Sequence, residues 1–330
     1  MGKYLPNVID QSQKKAISMK KNTLKRLAVA LRFGLIVKRI GKVMKNEDNR
    51  GRKGYGDETF LKCVLLSPLF HAVSMRDIER KLKKDHRLVE ALSLKRIPDH
   101  TSISKWKYRK GEEFFKLVLR EIIRIGMRIG LIKGNLLAVD STAIDAYISK
   151  VKENYEADKD AAWGIRKKDK NGKPIYFFGY KLHLIIDTAS ELPLALAILP
   201  ANIHDSEGFY HVFHLLISVF PTFAIVKLLA DMGYDASHIR QFLRNKNIKP
   251  VIPYNGRGHY ENIKTKDPDY KKRSAVERDN NLLKKYYRLN NLQVRSMYKV
   301  TIHAFISCLS MLFCGIGKYL IGYKRFRRIY

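Results

Sequence analysis

The pattern of apolar positions divides the chain into a helical part and a part in which strands and helices alternate. From Thr59 to about Leu131 apolar residues recur at helical spacing, and Ser74 stands where a capping residue would open a helix. From Asn135 the pattern changes to short continuous apolar runs, which are typical of buried strands. We therefore predict several short helices followed by an α/β unit.

Local signals mark the ends of the predicted helices. Pro68 should kink or end the first one, because proline lacks an N–H and crowds the preceding turn. Thr101 or Ser102 opens a later helix, and a long amphipathic helix follows. The apolar face of that helix is predicted to consist of Phe114, Leu117, Val118, Ile122, Ile125 and Ile129. Short helices with basic faces indicate a DNA-binding module, and a plain bundle with solvated lysines is the alternative.

The second part predicts a mixed sheet with flanking helices. The predicted strands are 136–140, 177–187, 192–199, 224–230 and 250–253. The predicted helices are 206–219, 236–245 and a long final helical region. Residues 150–175, rich in Lys and Asp, are predicted to form a mobile loop. This order of elements is typical of the α/β class.

The charge of the chain indicates a polyanionic partner. The sequence has 64 Lys and Arg against 31 Asp and Glu, a formal net charge of +33, while 45% of its residues are hydrophobic, as in a globular protein. Residues 1–50 and 251–330 carry most of the surplus, and residues 151–250 are nearly neutral. The hydrophobic content excludes a disordered or fibrous chain. The charge makes nucleic acid the expected partner, with an anionic membrane surface as the weaker alternative.

Cysteine content and hydropathy favour a cytoplasmic protein without a membrane partner. Cys63, Cys308 and Cys314 cannot all pair and form no CxxC motif, which predicts neither a disulfide framework nor a zinc knuckle. The N-terminus lacks the apolar run of a signal peptide. The most apolar stretch, 304–317, is shorter than the ~20 residues that span a bilayer, and we predict a buried helix there.

Two aspartates stand where predicted strands end. Asp140 and Asp231 each follow an apolar run. If the first and fourth strands are neighbours, the two carboxylates lie close together, and they repel each other unless divalent cations bind between them. Asp145 is the alternative to Asp140, and a buried aspartate bonded to backbone is the structural alternative for either. Asp187 and Asp205 are predicted to lie in a turn and a helix cap.

A third acid lies on a predicted helix after Pro268. At about 100° per residue, Tyr270, Arg273, Glu277 and Lys284 project within a ~60° arc of one helix face. An apolar stripe runs beside them, formed by Val276, Leu283 and Tyr287. A surface helix with ordinary ion pairs is the alternative to a functional face.

The spacing Tyr-x2-Arg-x3-Glu-x6-Lys, after two strand-borne aspartates, resembles the signature of the insertion-sequence DDE transposases of the IS-four and IS-five superfamily. Supporting segments resemble the same family over about residues 55–315. They are 139–142, 179–183, 201–205 and 229–234, with 74–79 and 98–101 in the helical part.

The resemblance implies an RNase H-like fold with a five-stranded mixed sheet, preceded by an all-helical domain. It divides the chain into a basic arm (1–54), a helical DNA-binding domain (55–134) and a catalytic domain with C-terminal helices (135–330). It also implies that Asp140, Asp231 and Glu277 bind two Mg²⁺ or Mn²⁺ ions. Only 45 residues separate Asp231 from Glu277, which leaves no room for the large β-rich insertion of some relatives.

The implied chemistry is hydrolysis at each transposon end, which liberates a 3′-OH, and attack of that 3′-OH on target DNA. Arg273 and Lys284 would clamp phosphates, and Tyr270 would bind a phosphate or stack on a flipped base. Lys181 and His183 alternate on one strand face and would reach the site or the DNA; buried structural roles are the alternative.

The expected partner is double-stranded DNA, as transposon ends and as target, and acting on two ends implies a homodimer in a synaptic complex. Three other functions remain as alternatives: another RNase H-like nuclease, an inactive or domesticated transposase that only binds DNA, and a basic RNA-packaging protein. His204, His211 and His214 are predicted to be ordinary surface or packing residues and not a zinc site.

Overall fold

Between residues 55 and 128 of the described chain, four helices precede the sheet, and polar caps set where two of them begin. They are α1 (Asp57–Leu69), α2 (Met75–Lys84), α3 (His86–Ala91) and α4 (His100–Arg128). The Ser74 hydroxyl accepts a hydrogen bond from the Asp77 N–H (3.2 Å), which confirms the predicted cap of α2. The Asp99 carboxylate accepts hydrogen bonds from the N–H groups of Thr101 and Ser102 (both 3.0 Å). Helix α4 therefore starts at His100, one residue before Thr101, the first of the two predicted starts.

The computed structural model describes residues 36–37, 55–70, 72, 74–147, 158–221, 224–256 and 263–323. The predicted basic arm (1–54) therefore lies outside the described residues, apart from the buried pair Ile36 and Val37. The first helix ends at Leu69, one residue after Pro68, as predicted.

The predicted apolar face of α4 is partly wrong. Gly111 interrupts the helix with φ 70°, a left-handed conformation that glycine adopts without strain. Beyond it, Leu117 is exposed, whereas Phe115 and Leu119 are buried. The buried face is thus shifted relative to the predicted one, because packing against α1 and the last helix of the chain decides which side is covered.

The sheet contains all five predicted strands and one further strand. The strands are β1 (Leu136–Asp145), β2 (Ala162–Lys168), β3 (Pro174–Asp187), β4 (Leu192–Pro200), β5 (Lys227–Leu229) and β6 (Lys249–Val251). Central β1 pairs antiparallel with β3 and parallel with β5; β4 extends the antiparallel side and β6 the parallel side. The order β4-β3-β1-β5-β6, with three antiparallel strands beside two parallel ones, is the RNase H-like arrangement.

The additional strand corrects the prediction of a loop over 150–175. Residues 162–168 form β2, which pairs antiparallel with the first part of β3, and a tight turn at 169–173 joins the two strands. The pattern was misleading because the apolar run 161–165 is short and the residues that follow it, 166–173, are charged or polar apart from Gly172. Residues 150–157 of the predicted loop lie outside the described residues.

Four helices cover the sheet, in agreement with the predicted order. They are α5 (Asp205–Val219), α6 (Ser237–Asn245), α7 (Ser274–Tyr286) and α8 (Met297–Leu320). Helix α5 packs on β3 and β4, and α7 packs on β1 and β3. Helix α8 packs on β4 and also on α1 and α4, so that one hydrophobic core joins the helices to the sheet.

Helix α8 confirms the prediction of a buried helix around residues 304–317. Among the described residues it is the one helix that is long and apolar enough to cross a membrane, and 89% of its most apolar window is buried inside the protein. A core helix is expected to be hydrophobic on all sides when it is covered on all sides.

Asp187 is a structural carboxylate. It ends β3 beside Leu137, at the opposite end of β1 from Asp145, and is fully buried. Its oxygens accept hydrogen bonds from the Gly134 N–H (2.9 Å) and from the Ser190 N–H (2.9 Å) and hydroxyl (2.7 Å). The carboxylate therefore connects the entry of β1 to the turn after β3.

We expect Asp187→Asn to lower the free energy of unfolding by about 1.5–3 kcal/mol, because an amide nitrogen would face donors that need a charged acceptor. Urea denaturation measures the change. The control is Glu113→Gln on the exposed side of α4, expected to stay within about 0.5 kcal/mol of the parent. Equal stability of the two variants would show that the Asp187 hydrogen bonds do not stabilise the fold.

Candidate active site

Parallel pairing of β1 and β5 places two aspartates side by side. Ala138 is in register with Leu229, so that continuing both chains by two residues brings Asp140 next to Asp231. The Asp231 carboxylate also accepts the Gly233 N–H (2.9 Å) and thereby caps a 3₁₀ turn, Met232–Tyr234. The prediction that Asp140 ends its strand is wrong, because β1 continues to Asp145. Its predicted proximity to Asp231, which follows β5, is confirmed.

The two carboxylates stand in a desolvated, negatively charged environment. Burial raises the pKa of Asp140 to about 7, and repulsion from Asp231 adds to the effect. The pKa of Asp231 is also raised, by burial and then by repulsion from Asp205. The negative form of this pair is therefore unfavourable without a compensating cation.

The third acid is close to the pair but is held by an arginine. The Arg273 guanidinium donates a hydrogen bond to the Glu277 carboxylate (2.5 Å), and half of the Glu277 side chain is exposed. Glu277 is near enough to contribute to the raised pKa of Asp140, and Arg273 acts on the same pKa in the opposite direction. The Arg273 guanidinium also lies 5.9 Å from the centre of the Tyr270 ring.

The helix that carries these residues begins later than predicted. Residues Pro268–Arg273 form a 3₁₀ helix, and α7 starts only at Ser274. Since residues three apart eclipse each other in a 3₁₀ helix, Tyr270 and Arg273 still share one side. The predicted apolar stripe is confirmed, since Val276, Leu283 and Tyr287 are all fully buried.

An ion-pair network attaches the 3₁₀ helix to the sheet edge. The Lys227 ammonium donates to Asp269 (2.7 Å) and to Asp267 (3.2 Å), and Lys249 pairs with Asp267 at 2.9 Å. Hydrogen bonding from Lys249 lowers the pKa of Asp267 to about 2. Because Lys227 begins β5 and Lys249 begins β6, the network holds Tyr270 and Arg273 beside these strands.

The carboxylate pair fits a divalent cation better than the complete triad does. Burial and mutual repulsion of Asp140 and Asp231 are relieved by a bound cation, and carboxylate oxygens suit Mg²⁺. In the part of the chain that the structure describes, no three His, Cys, Asp or Glu side chains form a group that could hold an ion. Glu277 would have to leave Arg273 to become a third ligand.

Lys284 connects the acids to the β2–β3 hairpin. Burial lowers the pKa of its ammonium, Arg166 lowers it further, and Asp145 and Asp140 raise it. Asp145, the alternative first ligand, is exposed at the end of β1 and forms an ion pair with Arg166. The structure therefore places Asp140, and not Asp145, beside Asp231.

The prediction that His183 contacts DNA disagrees with its position. His183 is fully buried, where an added Cβ on Gly208 of α5 would lie 2.2 Å from its ring, and its Nδ1 is 3.3 Å from the Tyr234 hydroxyl. Burial lowers the pKa of the imidazole to about 4, so that the ring is neutral at pH 7. A buried, neutral ring cannot bind a phosphate from solution, and His183 packs the sheet against α5.

Lys181 lies on the same face of β3 and contacts Asp205, which was predicted to lie in a helix cap. Its ammonium donates to the Ile203 carbonyl (2.9 Å) and to Asp205 (3.0 Å). The cap of α5 is instead His204, whose ring accepts the Ser206 N–H. Asp205 is thus a fourth acid, beside Asp231. Its place in the segment 201–205, one of the segments that resemble the family, was the available sequence signal for a role at the site.

Family models identify the class of protein that this site belongs to. The Transposase DDE domain matches residues 132–313, and the Transposase domain (DUF772) matches residues 11–109. Because the first match spans more than half of the 330 residues, the chain belongs to the transposase DDE-domain family. The chain is accordingly a DNA transposase, and the resemblance to insertion-sequence transposases is confirmed.

Three solved transposase structures are similar at low identity. A piggyBac transposase synaptic complex with hairpin DNA has 8% identity and a TM-score of 0.36 over 90% of this chain and 80% of that one. The Drosophila P element transposase strand transfer complex has 11% identity and a TM-score of 0.32 over 87% of this chain and 66% of that one. A pre-cleavage Mos1 transpososome has 12% identity and a TM-score of 0.23 over 84% of this chain and 85% of that one. No curated protein matches the sequence.

We expect Asp140→Asn to stabilise the metal-free protein more at pH 8 than at pH 5. The folded-state pKa of about 7 exceeds the ordinary value of an aspartate, about 4, so the folded protein retains a proton that the unfolded chain releases. Stability from this group therefore falls as the pH rises from about 4 to 7, by up to about 4 kcal/mol. Urea denaturation in EDTA measures the difference between the variant and the parent.

Millimolar Mg²⁺ provides the matched test of the cation. It should raise the stability of the parent at pH 8 and have a smaller effect on Asp140→Asn, because the amide removes one charged ligand. If Asp140→Asn and the parent differ in free energy of unfolding by the same amount at both pH values, with and without Mg²⁺, the proposed repulsion is contradicted.

Proposed function

We propose that this transposase hydrolyses phosphodiester bonds at the ends of a transposon and joins the liberated 3′-OH to target DNA by transesterification. The observation that carries the proposal is the adjacent, desolvated pair Asp140 and Asp231, with Glu277 and Arg273 beside it. Exchange of one ester for another conserves the bond energy, so that the joining step needs no nucleotide cofactor.

The residues at the site would bind divalent cations and the DNA backbone. Asp140 and Asp231, with Glu277 once it has left Arg273, would hold two Mg²⁺ or Mn²⁺ ions, which supply positive charge to the attacking and leaving oxygens. The released Arg273 guanidinium offers two parallel N–H donors to a phosphate, and Tyr270 adds a hydroxyl beside it. Arg273 thus changes partner from Glu277 to DNA as the site assembles.

Double-stranded DNA is the proposed partner, both as transposon ends and as target. The net charge of +33 supports binding dominated by phosphate contacts, with affinity that falls steeply as salt rises. The basic arm and the helices α1–α4 would recognise the terminal inverted repeats. Because two ends react together, a homodimer is the expected assembly of the synaptic complex.

The Glu277–Arg273 contact also supports a second candidate function. If that ion pair persists on DNA, the third carboxylate never reaches Asp140 and Asp231, and the chain would bind DNA without cutting it. Metal-dependent nicking of DNA that carries the element's own ends distinguishes the two candidates.

We expect Glu277→Gln to lower the rate of DNA cleavage by about 1,000-fold or more while DNA binding is retained. Loss of one charged ligand removes several kcal/mol of transition-state stabilisation, and each 1.4 kcal/mol corresponds to a factor of ten. Gel analysis of cut strands in Mg²⁺ and fluorescence anisotropy with the same DNA measure the two effects.

Glu113→Gln on α4 is the control for that experiment, since it removes the same charge from an exposed site. It should cleave at the parental rate. Unimpaired cleavage by Glu277→Gln would refute the role of Glu277, and loss of DNA binding by that variant would indicate a folding defect instead.

We expect Lys284→Ala to slow cleavage by about 10- to 100-fold, because a charge-assisted contact to phosphate contributes roughly 1.5–3 kcal/mol. Lys285→Ala is the matched control, since Lys285 is exposed and projects about 100° away on the same helix. Single-turnover cleavage compares the two variants. Equal rates would show that Lys284 does not act on the scissile phosphate.

A further inference from the structure

A hairpin beside the candidate site carries an exposed aromatic face. It consists of β2 and the first part of β3, residues 162–178, and is called the aromatic hairpin below. Trp163 pairs across the strands with Phe178, and Ile165 pairs with Tyr176, so that all four side chains project from one face. Trp163, Ile165 and Tyr176 are 66%, 54% and 59% exposed, respectively. Contiguous exposed apolar surface of this kind marks an interaction site.

The opposite face of the aromatic hairpin packs on the protein. An added Cβ on Gly164 would lie 2.6 Å from the Ala201 carbonyl oxygen, so the backbone is in close contact there. The Arg166 guanidinium lies 5.1 Å from the centre of the Phe177 ring and pairs with Asp145 at the end of β1. The exposed rings are therefore held by a fixed strand pair on the sheet.

The aromatic hairpin is also strongly cationic. Residues 162–178 contain one acid, Asp169, whose carboxylate accepts the N–H groups of Asn171 and Lys173 in the turn (both 2.8 Å). The basic residues of the same segment are Arg166, Lys167, Lys168, Lys170 and Lys173. A second copy of this +33 chain would bring like charge to the hairpin, whereas a nucleic acid brings phosphates.

The distance to the carboxylate pair corresponds to a few nucleotides. The hairpin joins β1 where Gly179 pairs with Asp145, five residues beyond Asp140. Five strand residues span about 17 Å, which equals about five steps of stacked bases at 3.4 Å each. Charges at both places act on the Lys284 ammonium, since Arg166 lowers its pKa and Asp140 raises it.

We propose that the aromatic hairpin binds unpaired bases of the DNA strand whose phosphate lies at the Asp140–Asp231 pair. Trp163 and Tyr176 stack on the bases, and Lys167 and the lysines of the turn contact the flanking phosphates. Stacking tolerates any base, so the hairpin recognises an unpaired strand and not a sequence. The inference rests on the proposed function, because it requires DNA at the candidate site.

The test compares a blunt DNA duplex with the same duplex carrying a short single-stranded 3′ overhang. Fluorescence anisotropy in EDTA measures both affinities without cleavage. We expect the parent to bind the overhang duplex more tightly than the blunt one, and Trp163→Ala and Tyr176→Ala each to weaken overhang binding about tenfold or more. Blunt-duplex affinity should stay unchanged, and Trp163→Phe should restore most of the preference.

Tryptophan fluorescence provides a direct readout of contact. The chain has two tryptophans, and Trp106 is only 1% exposed, so quenching by acrylamide reports mainly on Trp163. Overhang DNA should protect the fluorescence from acrylamide, and blunt DNA should not. Tyr319→Ala, which removes an exposed ring from α8, is the control and should leave both affinities unchanged.

Three results would overturn the inference. Trp163→Ala could weaken both duplexes equally, which would show a backbone contact. Trp163 could be protected without DNA, in a dimer that light scattering detects and that Trp163→Ala dissociates. The aromatic hairpin would then bind a second copy of the chain. If the parent cleaves DNA but Trp163→Ala keeps the preference for the overhang duplex, only the role of the aromatic hairpin is refuted. If the parent binds neither duplex, the proposed function is overturned as well.

Discussion

Repulsion between two desolvated carboxylates is the constraint on which the site depends. The pairing of β1 with β5 leaves Asp140 and Asp231 adjacent, and burial prevents water from screening them. Such a pair costs stability in the isolated protein and becomes favourable only when positive charge is supplied. The surrounding elements hold positive charge at a short distance, on Arg273 and Lys284, without placing a cation between the acids.

The remaining parts of the site are positioned by ion pairs with the sheet edge. Lys227 and Lys249 hold the 3₁₀ helix through Asp267 and Asp269, and that helix carries Arg273. Arg273 in turn holds Glu277. A change of partner by this one guanidinium would connect DNA binding to the assembly of the three acids, because the same side chain suits a carboxylate and a phosphate equally well.

Much of the fold could be predicted from local pattern. The five predicted strands exist because each is an apolar run that becomes buried, and the cap of α2 was visible in Ser74. Strand β2 was missed because its second half, 166–168, is entirely basic and a polar turn follows it, a pattern that resembles a loop. The face of α4 was misjudged because Gly111 breaks the helix and α8 decides which side is covered.

The sequence alone determined which residues could take part in the chemistry: two acids that follow apolar runs, and a third acid spaced with an arginine and a lysine. It determined these because an apolar run and helical spacing are local properties, whereas the end of β1 at Asp145 depends on pairing with β3. Only the tertiary structure decided that Asp205 stands beside Asp231, that His183 is buried against Gly208, and that Glu277 is bonded to Arg273. Those contacts join residues that lie far apart in the chain or depend on a choice of rotamer, and no local pattern encodes either.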